Sequence, residues 1–233
     1  VSALLGEGKT KLVIEAGEER VLLRFKDTIT AGDGVKMDIL RGKGEVNART
    51  SAVLFSKLME AGIRSHYISQ YDERTLLVRK LQMIPVEVVV RNVATGSIVK
   101  RLPIKEGEIF DPPIVEFFLK DDRLHDPLLN ADHLRYLKLM SPEETEDVRR
   151  QALTINKVLK NVFEPKGLRL YDFKVEFGRT GSSLLLGDEL TLDGMRVRVN
   201  GTGEVLDKDL YRRGETLERV MEAYLRFLKV LSS

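Results

Sequence analysis

The stretch LRLYDFKVEFGRTGSSLLLGDEL, residues 168–190, decides the fold. In a strand, side chains two apart share a face. Asp172, Lys174 and Glu176 therefore point one way, while Tyr171, Phe173, Val175 and Phe177 point the other. One face packs; the other carries acid, base, acid. The turn residues at 179–183 and the apolar run after them read as the second half of a hairpin. That second strand delivers Asp188 and Glu189. If the two strands are antiparallel neighbours, an acid from each converges. Paired carboxylates beside lysines suit a Mg2+–nucleotide site, because magnesium takes hard oxygen ligands, usually one or two protein carboxylates plus phosphates. A solvated sheet face has the same pattern, and spacing alone does not separate the two.

The stretch PVEVVVRNVATGS, residues 85–97, obeys the same parity. Val86, Val88 and Val90 share one face; Glu87, Val89 and Arg91 share the other. The planar fork of arginine suits a carboxylate or phosphate. Gly96 lets backbone N–H groups approach an anion, and Ser97 adds a hydroxyl. An ordinary turn after a strand has the same composition. Near the start, GEGKTK contains Gly-Lys-Thr but is not a Walker A loop. Ala3 stands where the first glycine belongs, and the following residues read as a strand rather than a helix. A glycine turn leading into a lysine-bearing strand can still cover nucleotide phosphates as a lid. His125 beside Asp126 reads as a loop hydrogen bond or a site pair, and RYLKLM (135–140) reads as core.

The rest of the chain supplies the frame. Residues 9–26 read as a hairpin and 27–36 as a polar loop. Apolar positions at helical spacing predict a helix over 43–61, with Gly62 as its stop. Three strands follow, the last being 85–91, then a short helix at 97–102 and a strand at 113–120. Residues 120–133 read as a loop rich in carboxylates. Ser141-Pro142-Glu143-Glu144 is a capping box with proline at the first helical position. Val148, Ala152, Ile155, Leu159 and Val162 form the stripe of that helix, which Gly167 ends. A final amphipathic helix covers about 214–231. The class is α+β, with a β-rich lobe over 1–83 and a larger α+β lobe over 84–233.

Composition excludes several functions. The absence of cysteine removes disulfides, thiolate catalysis and cysteine metal clusters. The three histidines do not form a ligand motif. Thirty-eight basic against 36 acidic residues, without a like-charge run, argues against a nucleic-acid tail. No apolar stretch is long enough for a membrane span, so the expected setting is cytoplasmic.

The ordered set GEGKTK, TAGDG, PVEVVVRNVATGS, HDP, DFKVEFG, GDE and LDKDLYR resembles the SAICAR synthetase family, the phosphoribosylaminoimidazole-succinocarboxamide synthases of purine biosynthesis. The resemblance runs from about residue 5 to 228. It implies a two-lobed fold related to kinase and ATP-grasp architectures, with ATP between the lobes. It implies an ATP- and Mg2+-dependent carbon–nitrogen ligase that joins L-aspartate to the carboxylate of carboxyaminoimidazole ribonucleotide, through an acyl phosphate. By that resemblance Asp172 and Lys174 are catalytic. Lys9, Lys11, Lys80, Met83 and Glu176 bind ATP. Arg91, Ser97, Asp126, Arg196 and Arg212 bind substrate, and Glu176 and Asp188 hold the metal. A homodimer follows by the same analogy, with no nucleic-acid or membrane partner. Three departures stand out: Leu5 where a tyrosine is common, Thr191-Leu192-Asp193-Gly194 for the usual Ser-Pro-Asp, and Val197-Arg198 where a tryptophan is frequent. The last two bear on Arg196. The rival classes are another ATP-dependent carboxylate–amine ligase, a kinase-like phosphotransferase, and an RNA- or nucleotide-binding module.

Overall fold

The computed structural model describes residues 3–32, 34–181 and 183–233. Asp33 of the expected polar loop and Ser182 of the expected turn lie outside the described residues. The chain opens with three strands, β1 (Leu4–Glu7), β2 (Lys11–Glu15) and β3 (Arg20–Phe25). A hairpin of β4 (Thr28–Ala31) and β5 (Lys36–Ile39) leads into helix α1 (Lys43–Glu60). Next come β6 (Tyr67–Asp72), β7 (Thr75–Arg79) and the long β8 (Gln82–Val93). Helix α2 (Ser97–Arg101) separates β8 from β9 (Ile109–Leu119). After β10 (Leu128–Leu129) and α3 (Ala131–Tyr136) runs the longest helix, α4 (Pro142–Phe163). The chain closes with β11 (Leu168–Thr180), β12 (Ser183–Gly187), β13 (Met195–Val199), α5 (Asp209–Arg212) and α6 (Leu217–Ser232).

The strands form two main sheets. The first has the order β1-β2-β3-β7-β6; the second has the order β10-β9-β8-β11-β12, with β13 also on β11. Their strand pairs are antiparallel, as the α+β class requires. One edge of β11 belongs to β8. The other edge is divided: β13 pairs with Leu168–Phe173 and β12 with Glu176–Thr180. Between these two partners the chain leaves the sheet over residues 188–194. The centre of β11, with Asp172, Lys174 and Glu176, faces that gap.

Parity governs what is buried. Val86, Val88 and Val90 are each at most 1% exposed, and Phe173, Val175 and Phe177 join them in the core. Against this face pack α4 through Val148, Ala152, Ile155 and Leu159, and α6 through Val220, Tyr224 and Phe227. Helix α1 is common to two cores. Its Leu54, Phe55 and Leu58 belong to the larger one, and its Ala48 and Ala52 pack under Val21, Leu23, Leu76 and Val78 of the first sheet. Small residues on one side of α1 let that sheet sit close, while large ones on the other side fill the main core. The capping box of Ser141 and Glu144 starts α4 as its sequence predicts.

Four expectations need correction. The stretch 27–36 is not a plain polar loop: it holds β4 and the start of β5, and Thr28, Ile29 and Thr30 are buried. Tyr171 does not pack with Phe173. The register on β13 shifts between Leu170 and Asp172, so Leu168 and Leu170 are core before the shift and odd-numbered residues after it. Tyr171 is left half-buried beside the Arg198 guanidinium, 5.2 Å from its ring centre. An irregular register re-aims side chains in this way. The RYLKLM segment is mostly surface: Met140 is buried, but Tyr136 and Leu137 are exposed. Finally, 120–133 is not a plain loop. It holds a turn of 3-10 helix at Asp122–Leu124, strand β10, and Asn130, whose side chain caps α3.

Candidate active site

A cleft of about 1390 Å³ opens between the sheets. Its roof comes from the β1–β2 hairpin and the ends of β3 and β7; its floor is the polar face of β8 and β11. Lys9, Lys11, Lys80, Met83, Arg91, Ser97, Asp126, Asp172, Lys174, Glu176, Asp188, Arg196 and Arg212 all line it. Residues from both ends of the chain thus meet in one place.

At one end is a guanidinium–carboxylate network. Register places Arg91 of β8 opposite Asp172 of β11, and Asp172 opposite Arg196 of β13. Oδ2 of Asp172 accepts from Arg91 Nη1 at 3.0 Å and from Arg196 Nη1 at 2.7 Å. Arg91 also donates through Nε to Glu116 at 2.5 Å and through Nη2 to Ser97 Oγ at 3.0 Å. Arg196 donates through Nε to Asp209, at 3.0 Å to the nearer oxygen, and Asp209 also accepts from Arg212 and Arg198. Each fork is therefore fixed in direction before any reactant arrives, which is the condition for geometric recognition of a planar or tetrahedral anion. Burial pushes the Asp172 carboxyl up, against the pull of Arg196 and Arg91. Gly96 makes the arrangement possible. It has φ 68 and ψ −132, and a Cβ there would lie 2.5 Å from Arg196 Nη2.

At the other end lysines interleave with acids. Lys11 Nζ lies 2.5 Å from Asp188 and 2.9 Å from Glu189. Lys174 Nζ lies 2.9 Å from Glu87, 2.8 Å from Glu176 and 3.8 Å from Asp188. Lys120 donates to both oxygens of Glu176 at 2.8 and 2.7 Å. Lys9 reaches across the mouth to Asp122 at 2.7 Å. The two acids of the expected hairpin do converge, since Lys174 touches both. Their titrations are driven apart. Burial and the neighbouring Asp188 push Glu176 up. Asp188, although burial opposes its charge, is held well below the usual carboxylate range by Lys11, Lys174 and Lys120. Opposite shifts in adjacent carboxyls are a mark of sites that handle charge. Asp188 also has φ 57, a left-handed conformation rare for a residue with a side chain and concentrated at functional positions.

Sequence reasoning passed over several residues of this cleft. Glu116 and Asp209 orient the arginines; Lys120 caps Glu176; Lys43, with no exposure, pairs with Asp193 at 2.6 Å. Glu116, Lys120 and Lys43 carry no local signal, because their partners are distant in sequence; Asp209 lies within the quoted LDKDLYR, but its bonds to Arg196 and Arg198 are not local. His66 is the other omission. Its backbone N–H donates to Leu186 of β12 at 2.8 Å, and its carbonyl accepts from Arg79 at 2.7 Å, so it stitches the two sheets together. Its ring is buried beside Asp188, with no partner for Nε2. Burial, only partly offset by Asp188, pushes its pKa down to about 4, and the ring is neutral at pH 7.

Comparison with known proteins identifies the family. The family model for SAICAR synthetase matches residues 4–230. The phosphoribosylaminoimidazole-succinocarboxamide synthase of Sulfurisphaera tokodaii is 60% identical over 228 residues, covering 98% of this chain and 97% of the relative. The crystal structure of the Ehrlichia chaffeensis synthase superposes with a TM-score of 0.95 at 36% identity, covering 99% of this chain and 98% of the other. A SAICAR synthetase solved in complex with ADP superposes at 0.93 with 40% identity, covering 97% and 96%. The chain belongs to the SAICAR synthetase family. It is a ligase of purine biosynthesis.

Two outcomes test this geometry. Gly96→Ala forces a side chain into a glycine-only conformation, which costs about 1–3 kcal/mol, and drives Arg196 off Asp172. Urea unfolding reads the first effect; a loss below about 0.5 kcal/mol, the scale of a neutral surface change, shows that the turn relaxes. For His66, the folded pKa of about 4 lies below the ordinary 6.5. The unfolded chain therefore binds more protons between these values, so stability is full above about pH 6.5 and falls as pH drops towards 4. The loss reaches about 3 kcal/mol. His66→Gln lacks the titration, so its stability falls less than the wild type's between pH 7 and 4.5. Equal losses would mean that the ring protonates freely in the fold.

Proposed function

We propose that this cleft joins L-aspartate to the carboxylate of carboxyaminoimidazole ribonucleotide at the expense of ATP. The observation that carries the proposal is the meeting, in one cleft, of a fixed arginine network and a lysine–carboxylate cluster. A carboxylate is a poor acylating agent because oxide is a poor leaving group. Transfer of the γ-phosphoryl group to a carboxylate oxygen gives an acyl phosphate and ADP. The aspartate amine then attacks the acyl carbon, phosphate leaves, and the amine loses a proton. Such chemistry rests on position and charge stabilisation.

The residue roles follow the two ends of the cleft. Lys9 and Lys11 of the roof hairpin cover the ATP phosphates, with Lys80 and Met83 at the hinge between the lobes 1–83 and 84–233. Arg91, Ser97, Arg196 and Arg212 bind the ribonucleotide. Asp172 holds Arg91 and Arg196 at the reacting end, and Lys174 neutralises charge between the two sites. Asp126, in a left-handed turn with φ 45, contacts substrate from the rim.

Glu176 and Asp188 suit a magnesium ion. Among the described residues no three His, Asp or Glu side chains converge as a metal cage, but magnesium with a nucleotide needs only one or two protein carboxylates. These two supply hard oxygens, and both already lie within reach of one cation, Lys174. When bound, the ion would neutralise phosphate charge. A homodimer is proposed by family analogy, and the exposed Val35, Met37 and Ile39 support it with apolar surface. The reactants are phosphorylated and charged, which favours a cytoplasmic setting. Among the described residues no helix is long and apolar enough to cross a membrane.

Phosphate release from ATP and Mg2+, with each reactant omitted in turn, tests the reaction. It is expected only when both the ribonucleotide and aspartate are present, with the succinocarboxamide seen by mass spectrometry. A kinase-like phosphotransferase would instead form ADP and release no phosphate when aspartate is added, because the phosphoryl group stays on its acceptor. Asp188→Asn keeps a side chain that tolerates the left-handed backbone but removes the charge. Turnover should fall about 100-fold or more, as when one electrostatic stabiliser is lost; near-wild-type activity would remove Asp188 from the metal site.

A further inference from the structure

Most cations that line the cleft are paired. The buried Arg91, the half-buried Lys11, Lys174 and Arg196, and the more exposed Lys120 and Arg212 each touch a carboxylate. Lys208 lines the same cleft, is 8% exposed, and its ammonium has no hydrogen-bonded or ion-paired partner among the described residues. The nearby acids are committed elsewhere: Asp193 to Lys43 at 2.6 Å and Glu189 to Lys11 at 2.9 Å. The side chain is buried but its ammonium opens to the cleft without a carboxylate partner, and burial lowers its pKa.

The backbone holds the lysine where it is. Asp207 accepts from the Val197 N–H at 2.9 Å and pairs with Arg198, while Asp209 binds Arg196, Arg198 and Arg212. Residue 208 sits between these two anchors. An unmatched ammonium on an anchored backbone is already in the cleft when an anion arrives, which lowers the cost of binding one.

The surroundings select which anion. Phosphate-bearing reactants match the guanidinium forks at one end and the lysine hairpin at the other. A phosphate dianion at Lys208 would face the charges of Asp193 and Glu189, which act on this ammonium. A small zwitterion does not share that difficulty, because its own ammonium can turn towards the acids. We propose that Lys208 binds a carboxylate of the dicarboxylic amino acid that supplies the amine. This rests on the ligase reaction proposed above.

Lys208→Met removes the charge and keeps the length. In steady-state assays of the whole protein, the KM for L-aspartate should rise at least tenfold, with the KM values for ATP and ribonucleotide within twofold of wild type. Lys208→Arg should recover part of the loss. Calorimetric titration of L-aspartate into protein carrying ADP and ribonucleotide should give heat for wild type and none for Lys208→Met, while ribonucleotide binding survives in both and reports a folded variant. If the methionine variant does not fold, Lys208→Gln carries the same comparison. An unchanged KM for aspartate, or a rise confined to the ribonucleotide, overturns the proposal. A wild-type protein that makes product without aspartate overturns the ligase reaction, and this assignment with it.

Discussion

The centre of β11 is the constraint on which the site depends. A strand inside a sheet normally has continuous neighbours on both edges. Here one edge is shared between β12 and β13, and the segment between them, residues 188–194, turns out of the sheet. The backbone still closes, because Lys174 donates its N–H to the Gly194 carbonyl at 2.7 Å. The polar face of β11 thereby gains acids that arrive from its own edge. Asp188, Glu189 and Asp193 stand beside Asp172, Lys174 and Glu176 because of a gap in pairing, not because of any local motif.

Charge then fixes shape. Buried ion pairs contribute little net stability, since desolvation offsets most of the attraction. Their contribution here is direction. Asp172 ties Arg91 to Arg196, and Asp209 ties Arg196 to Arg212 and Arg198. Apart from Asp209–Arg212, which lies within α5, these pairs link different elements and tie them together at the cleft. The apolar layers beneath, from α1, α4 and α6, supply the stability that such a network does not.

Much of this was legible in the sequence, and the limits have physical causes. Alternation in 85–91 and 173–177 identified the apolar face that packs in the core, because period-two patterning is read locally wherever a strand runs without an irregularity. The Ser141 capping box was legible because its partners are three residues apart. Tyr171 was misread because the register shift beside it depends on β13, which no window around Tyr171 contains. Glu116, Lys120 and His66 were invisible as site residues for the same reason: their partners are set by register between distant strands. The individual members of the cleft could be picked out by resemblance. Their mutual pairing could not.

The pairing has a consequence for what can enter. Lys11, Lys174 and Lys120 are already matched to carboxylates, so a charged reactant is admitted by exchange of partners. It trades its water shell for a cation that gives up an acid, and the acid can pass to another cation within reach. Total charge–charge contact is then nearly conserved along the way in. A neutral molecule of the same size breaks the same pairs and restores none of them. Separating these pairs is a cost that only a reactant carrying its own charge can offset.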